Sequence, residues 1–321
     1  MAPLSLGYRT PFEWNAMAAY LAARAIPAVE AVTVEDGAWY WRTLDLDGCR
    51  GYIGVGPLGV DTLRLDVSAD LLPVLIPLQA RVRGLFDLDA DPRVIAAHLS
   101  RDPVLAPLVA RRPGLRVPGA YDGFELALRA VLGQQVSVRG ASTLAGRLAQ
   151  LVGEPLRGVP ELLRAHPAPL TRLPVSAERL ADTGISSVAG IGLPRARAAC
   201  VVALARAVSS GELPELTGNG GAVDPANFVQ RLTALPGIGA WTAAYILMRA
   251  LRWPDAFPEG DLGLRKAMGG LSPARLRAAA EPWRPWRAYA AQHLWASLGD
   301  GVGTPKSTPT NNSVPNSSHA E

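Results

Sequence analysis

The chain has 321 residues, 49% of them apolar and 19% charged, and a formal net charge of only +4. That length and apolar content allow two or three domains with a sizeable core. Two cysteines, Cys49 and Cys200, exclude a four-cysteine zinc or iron–sulfur site, so no iron–sulfur cluster is expected. The small net charge means that an anionic partner must be met by local rather than global attraction.

Phe12, Met17, Tyr20 and Leu21 predict a helix over residues 12–25. Four strand-like segments follow, at Val29–Val34, Trp39–Leu46, Cys49–Val55 and Val60–Val67. In them Leu44 and Leu46 alternate with Thr43, Asp45 and Asp47, and Leu63, Leu65 and Val67 alternate with Thr62, Arg64 and Asp66. Glu35-Asp36-Gly37, Asp47-Gly48 and Gly56-Pro57-Leu58-Gly59 are hairpin-like links. A helix is expected over 71–85. Short links favour an antiparallel sheet with helices on one face, an α+β domain over residues 1–89.

Beyond Asp89 the pattern is helical, with proline- and glycine-rich breaks. Phe124, Leu128, Val131 and Leu132 mark one amphipathic helix, and Leu144, Leu148 and Leu151 another. Gly190-Ile191-Gly192-Leu193-Pro194 reads as a structural turn. The helical region is assigned to residues 90–300. Residues 301–321 are rich in Ser, Thr, Asn, Pro and Gly and are expected to form a disordered tail. No run is apolar for long enough to span a bilayer, and no charged-then-apolar leader opens the chain. A cytoplasmic protein without a membrane partner is expected.

The most informative stretch is Leu235-Pro236-Gly237-Ile238-Gly239. Phe228, Leu232 and Leu235 place a helix before it, and Ala244, Met248 and Leu251 place one after it. Pro236 ends the first helix, and Gly237 and Gly239 permit positive φ. A glycine turn at a helix N-terminus leaves N–H groups open, and the helix dipole adds positive character there, so the turn can bind phosphate. The same five residues also suit an ordinary helix–helix turn.

Downstream of Trp241 stands Asp261, within Phe257-Pro258-Glu259-Gly260-Asp261-Leu262. This order of hairpin and aspartate resembles the helix-hairpin-helix DNA glycosylases. Trp14, the Leu21-Ala22-Ala23-Arg24-Ala25 run, Gly84-Leu85-Phe86-Asp87-Leu88, Arg112-Pro113-Gly114-Leu115-Arg116, Leu132-Gly133-Gln134 and Arg284-Pro285-Trp286-Arg287 resemble the AlkA-type DNA-3-methyladenine glycosylase II family. The similarity spans about residues 8 to 300.

The resemblance implies excision of alkylated bases from double-stranded DNA, with Asp261 stabilising the cationic sugar. An N-cap at Asp261, or an ion pair with Arg265, is the structural alternative. Tyr20, Trp241, Tyr245 and Trp295 match positions lining the family's base pocket, where cation–π attraction favours a charged lesion. Trp283 and Trp286 are read as core. Leu262 stands where the family often has an aromatic residue, so pocket shape is open there. Bifunctional members carry a lysine at the position of Trp241, so a monofunctional enzyme is implied. The hairpin Leu235, Pro236, Gly237, Ile238 and Gly239 is expected to grip the backbone. A structural Na+ or K+ held by the main-chain carbonyls of Thr233, Leu235 and Gly237 is implied, with no catalytic cofactor. Gln135, or failing that Gln134, would fill the gap left by the flipped base, where the family's wedge is a leucine. A monomer associated with the nucleoid is expected. The alternatives are a non-catalytic helix-hairpin-helix DNA-binding module, or the same fold acting on deaminated or oxidised bases.

Overall fold

The computed structural model describes residues 2–34, 37–166, 168–218 and 223–299. The expected tail and most of the Glu35-Asp36-Gly37 link lie outside these residues. Five strands form one antiparallel sheet in the order β1-β5-β4-β3-β2. They are β1 (Ala2–Gly7), β2 (Glu30–Thr33), β3 (Trp39–Leu46), β4 (Cys49–Pro57) and β5 (Thr62–Val67). Four of them match the alternating segments closely. The fifth, β1, pairs Leu4 with Leu65 and Leu6 with Leu63. It escaped the sequence reading because a short edge strand carrying Pro3 has little alternation to show. Asp47 and Gly48 turn β3 into β4 with φ of 51° and 81°, the conformation a tight two-residue hairpin needs.

Two helices cover one face of the sheet: α1 (Trp14–Ala22) and α2 (Leu75–Leu85), the latter entered through a 3-10 turn at Ala69–Val74. Trp14, Met17, Leu21, Leu78, Val82 and Phe86 pack there against Tyr40, Leu44, Ile53, Val55, Leu63 and Leu65. The other face is also covered, which the sequence reading did not anticipate. Ala31, Trp41 and Tyr52 meet Val159, Leu163 and Leu170 from the loop segment of the helical region. Gly54 makes this possible, since a Cβ there would sit 2.2 Å from the Trp41 ring.

The rest of the described chain is helical: α3 (Pro92–Leu99), α4 (Ala106–Arg111), α5 (Gly123–Leu132), α6 (Val138–Val152), α7 (Glu161–Arg164), α8 (Ala177–Ala181), α9 (Ile185–Ala189), α10 (Arg195–Ser209), α11 (Pro225–Ala234), α12 (Ala240–Arg249), α13 (Leu262–Ala267), α14 (Pro273–Ala279) and α15 (Arg287–Gly299). Asp91, Asp122, Ser137, Asp224 and Ser272 start five of them with side-chain N-caps. Helix α10 packs against α5, α8 and α9, and α12 packs against α5 and α11. Trp283 is core, 1% exposed, and its indole donates to Asp102 Oδ2 at 2.8 Å, tying α15's approach to the α3–α4 segment.

Sheet and helices are joined by a quartet of charges, three of them buried and the fourth, Arg129, partly so. Arg42 on β3 donates to Glu125 on α5 at 2.9 Å, and Arg129 one turn further along α5 pairs with Glu30 on β2 at 3.0 Å. Glu30 also accepts from the Tyr40 hydroxyl at 2.5 Å and the Ile26 N–H at 2.9 Å. Burial raises the Glu30 carboxyl, but the Arg129 and Arg42 charges outweigh it and hold the carboxyl below its ordinary range.

Candidate active site

The hairpin closes as the sequence suggests. Helix α11 ends at Leu235, whose carbonyl accepts the Ile238 N–H at 3.1 Å, and Ile238 is buried at 4% exposure. Only one of the two glycines needs its freedom. Gly237 has φ of +92°, and a Cβ there would lie 3.1 Å from Cys200. Gly239 sits at φ −90° as the N-cap of α12, with no side-chain cap and open space where a Cβ would be. Gly237 therefore serves the turn, while Gly239 leaves the first-turn N–H groups of α12 without a side-chain cap.

The loop between α5 and α6 lies beside the hairpin. Gln134 donates through Nε2 to Gly237 O at 2.9 Å and to Thr242 Oγ1 at 3.2 Å. This corrects the reading of Gln134 as a second wedge, because its amide is committed to the hairpin. Gln135 is exposed and has φ of +57°, so the loop points it outward. The sequence reading missed Val136, which is 38% exposed and lines the cavity below; an apolar residue at the tip of a polar loop was the available signal.

Asp261 caps α13, its Oδ1 accepting the Leu264 N–H at 2.8 Å. The cap is real, and it does not exhaust the carboxylate. Trp295 Nε1 donates to Oδ1 at 2.9 Å, and Trp241 Nε1 donates to Oδ2 at 2.9 Å. Arg265 does not pair with Asp261; its Nε donates to Leu271 O at 2.8 Å. The neighbouring acids are used elsewhere, Asp255 by Arg284 and Arg287 and Glu259 by Arg277. Leu262 is 75% exposed and is not part of the cavity lining.

A cavity of about 950 Å³ opens at Asp261 and is lined by Tyr20, Trp241, Tyr245 and Trp295 as expected. Their arrangement differs from open stacking faces. Trp241 and Tyr245 stack on each other at 5.4 Å and 11°. One turn on, the Arg249 guanidinium lies 5.6 Å from the Tyr245 centroid. Tyr20 has Arg24 at 3.8 Å and Arg249 at 4.7 Å over its ring. The expected cation–π attraction of Tyr20 and Tyr245 for a charged base is thus already taken by arginines. What they offer instead is hydroxyls, which meet at 3.3 Å. Burial pushes the Tyr245 phenol up to about 12, whereas at Tyr20 the charges of Arg249 and Arg24 outweigh burial and lower it. The sequence reading names Arg24 only within the Leu21–Ala25 run and gives Arg249 no role, although Arg249 falls in phase with Trp241 and Tyr245 at successive turns.

The architecture has solved counterparts. The 3-methyladenine DNA-glycosylase from Archaeoglobus fulgidus shares the fold with a TM-score of 0.75 at 20% identity, over 92% of this chain and 97% of that one. Together with the order of hairpin and capped aspartate, that fold defines a helix-hairpin-helix DNA glycosylase architecture. The family model for the AlkA N-terminal domain matches residues 3–122. Over 296 residues the chain is 38% identical to DNA-3-methyladenine glycosylase 2 of Escherichia coli K12, covering 92% of this chain and 97% of that protein. The chain belongs to the DNA-3-methyladenine glycosylase 2 (AlkA) family. It is also 42% identical to a Mycobacterium tuberculosis protein described as a probable bifunctional transcriptional activator/DNA repair enzyme AlkA, and spans 57% of that longer protein.

Proposed function

We propose that this protein is a monofunctional DNA glycosylase that flips alkylated bases out of duplex DNA and hydrolyses their N-glycosidic bonds. The observation that carries the reading is Asp261: three N–H donors fix its two oxygens in the lining of a cavity of about 950 Å³, large enough to admit a flipped nucleotide. An alkylated purine is a good leaving group, and its departure leaves an oxocarbenium-like sugar. A fixed carboxylate beside C1′ stabilises that charge without reorganising. The indoles of Trp241 and Trp295 act as positioning groups through their N–H bonds, in addition to walling the cavity. No lysine lines the cavity among the described residues, which supports release of the base without Schiff-base attack on the sugar.

Duplex DNA is the partner, held as a one-to-one complex by the α11–α12 hairpin, with Gln135 entering the gap left by the flipped base. Carbonyl ligation of Na+ or K+ at the hairpin is compatible with the geometry. The carbonyls of Leu235 and Gly237 accept one hydrogen bond each, from Ile238 and Gln134, and keep a second lone pair. Such an ion would stiffen the turn and take no part in the chemistry. We place the activity on chromosomal DNA in the cytoplasm; among the described residues no helix is long and apolar enough to cross a membrane.

The deciding experiment measures base release and strand cleavage on methylated, uracil-containing, 8-oxoguanine-containing and undamaged duplexes. Release confined to methylated DNA, with strands intact until alkali is added, is expected. Binding without release would leave a DNA-binding module. Preferential release of uracil or 8-oxoguanine would move the substrate to deaminated or oxidised bases.

A further inference from the structure

The hairpin has a second glycine turn for a neighbour. Gly190-Ile191-Gly192-Leu193-Pro194, which the sequence offers only as a structural turn, joins α9 to α10. Cys200, in the second turn of α10, packs against the hairpin: a Cβ on Gly237 would lie 3.1 Å from its sulfur. Helix α6 reaches the same turn, because Arg147 donates to Ile191 O at 2.9 Å. The loop that precedes α6 is bonded to the hairpin through Gln134. Three segments distant in sequence are thereby brought together: the α5–α6 loop with α6, the α9–α10 turn with α10, and the hairpin with α12.

All three lack acids. No Asp or Glu occurs between Glu125 and Glu154, between Asp182 and Glu212, or between Asp224 and Asp255, in a chain with 28 acidic residues among 321. The first two segments carry arginines at the surface. Arg139 and Arg147 stand on α6 with Thr143 midway between them, all three exposed. Arg195 is exposed and Arg197 half-buried in the first turn of α10. Arg195 donates to Ser186 Oγ at 3.4 Å. None of the four arginines makes an ion pair among the described residues. By contrast, Arg50 is answered by Asp45 and Glu154, Arg277 by Glu259, and Arg284 by Asp255 and Glu281.

Unpaired guanidinium groups on an acid-free surface repel one another, and a polyanion that bridges them relieves the repulsion. The layout says which polyanion. Arg139 and Arg147 lie about 12 Å apart along α6 at 1.5 Å per residue. A nucleic-acid strand advances about 3.4 Å per nucleotide, so this span matches roughly three to four phosphates of one strand. Guanidinium forks suit phosphate oxygens. Arg139 also follows Gln135 by one helical turn of chain, so the patch begins beside the expected wedge.

We propose that Arg139, Arg147, Arg195 and Arg197 form a second grip on the duplex backbone, separate from the hairpin and continuous with the wedge loop. Two grips anchor the duplex while a base is out of the stack. Phosphates carry no lesion information, so the patch adds affinity for any duplex and leaves the choice of base to the cavity. This inference rests on the reading of duplex DNA as the partner and does not need the chemistry at Asp261.

The test uses the full chain with Arg139→Gln, Arg195→Gln, Arg197→Gln and the three combined. Arg147 stays, because it also ties α6 to the Ile191 carbonyl. Arg206→Gln removes the same charge from the last turns of α10 and serves as the control. Binding to undamaged and methylated duplexes is measured across a range of salt. Each phosphate contact contributes about 0.9 to the slope of log K against log salt, so the triple variant should flatten that slope by roughly 2–3. Near ~0.1 M salt its affinity should fall at least about tenfold, by the same factor for both duplexes. Arg206→Gln should leave the slope as it is. Melting temperature should hold, since glutamine suits an exposed helix position. The single variants, each flattening the slope by about 0.9, carry the test should the triple variant fail to fold. An unchanged slope overturns the proposal, as does a slope that Arg206→Gln flattens as much as a patch variant does. A loss confined to methylated DNA also overturns it, and so does duplex binding that holds while binding to anionic phospholipid vesicles falls. A flattened slope in a protein that releases no base from any duplex would keep the grip and sink the glycosylase reading alone.

Discussion

Two sets of charges line one cavity and are treated in opposite ways. Glu30, Arg42, Glu125 and Arg129 are answered within the protein, each by an opposite charge on another element. Asp261 is met by indole and backbone N–H groups that carry no net charge, and Arg249 by ring faces. The quartet is where the sheet is fastened to the helices. The unanswered pair lies where a flipped nucleotide would supply the missing charge or acceptor. Within this cavity, complete pairing accompanies the fastening of sheet to helices, and incomplete pairing the residues at and beyond the candidate catalytic carboxylate.

The largest effect should come from breaking the paired set. Arg42→Met leaves Glu125 buried without its partner and should cost about 3–5 kcal/mol of stability in urea melts. Adding Glu125→Leu removes the orphaned charge and should recover much of the loss. A single variant that costs under about 1 kcal/mol would mean that the quartet fastens nothing.

Next comes the unpaired set. Asp261→Asn keeps an N-cap oxygen for Leu264, so folding and damaged-DNA binding should persist. Loss of the anion should slow single-turnover base release roughly a hundred- to thousandfold. Near-normal release would reduce Asp261 to a cap and remove the contrast.

Asp87 tests the contrast by pH. Its carboxyl is raised from 3.8 to about 6, chiefly by burial, against the lowering effects of the Tyr289 hydroxyl and Arg116. Its Oδ2 accepts from Tyr289 at 2.7 Å. A raised pKa means that the folded state holds the proton longer than the unfolded chain does. Stability from this group is therefore full below pH 4 and falls as pH rises toward 6. Asp87→Asn keeps the acceptor and suits the φ of 54° at this position. It should match the unmodified protein at pH 4 and exceed it by about 2 kcal/mol at pH 7. A gap independent of pH would mean that Asp87 is compensated like Glu30.

The sequence made legible what is local. Alternation located four strands, proline and glycine located the hairpin, and Gly260-Asp261 announced its cap. The functional partners of Asp261 were harder to read, because Trp241 and Trp295 reach it across 20 and 34 residues. Only resemblance placed them in one pocket. The Arg42–Glu125 pair spans 83 residues and two kinds of secondary structure, and no periodicity encodes it. Pocket chemistry is only partly legible for a related reason. Residue type announces an aromatic wall, but not that arginines already occupy the faces of Tyr20 and Tyr245.

The smallest expected effect separates two adjacent glutamines. Gln134 is satisfied inside the protein, bonded to Gly237 and Thr242, and Gln134→Ala should loosen the loop from the hairpin. We expect about 1 kcal/mol of lost stability and weaker binding to damaged and undamaged duplex alike, since the hairpin reads phosphate. Gln135 is exposed and held at φ +57°, a conformation that glycine adopts without cost. Gln135→Gly should therefore raise stability slightly, by at most about 1 kcal/mol, while deleting the side chain that fills the duplex. A fluorescent base analogue beside the lesion should then report less flipping by a protein that melts no earlier. Greater stability with weaker flipping is the signature of a wedge held in a strained backbone. Flipping that survives Gln135→Gly would retire Gln135, and Val136, exposed at the same loop tip and lining the cavity, would take its place.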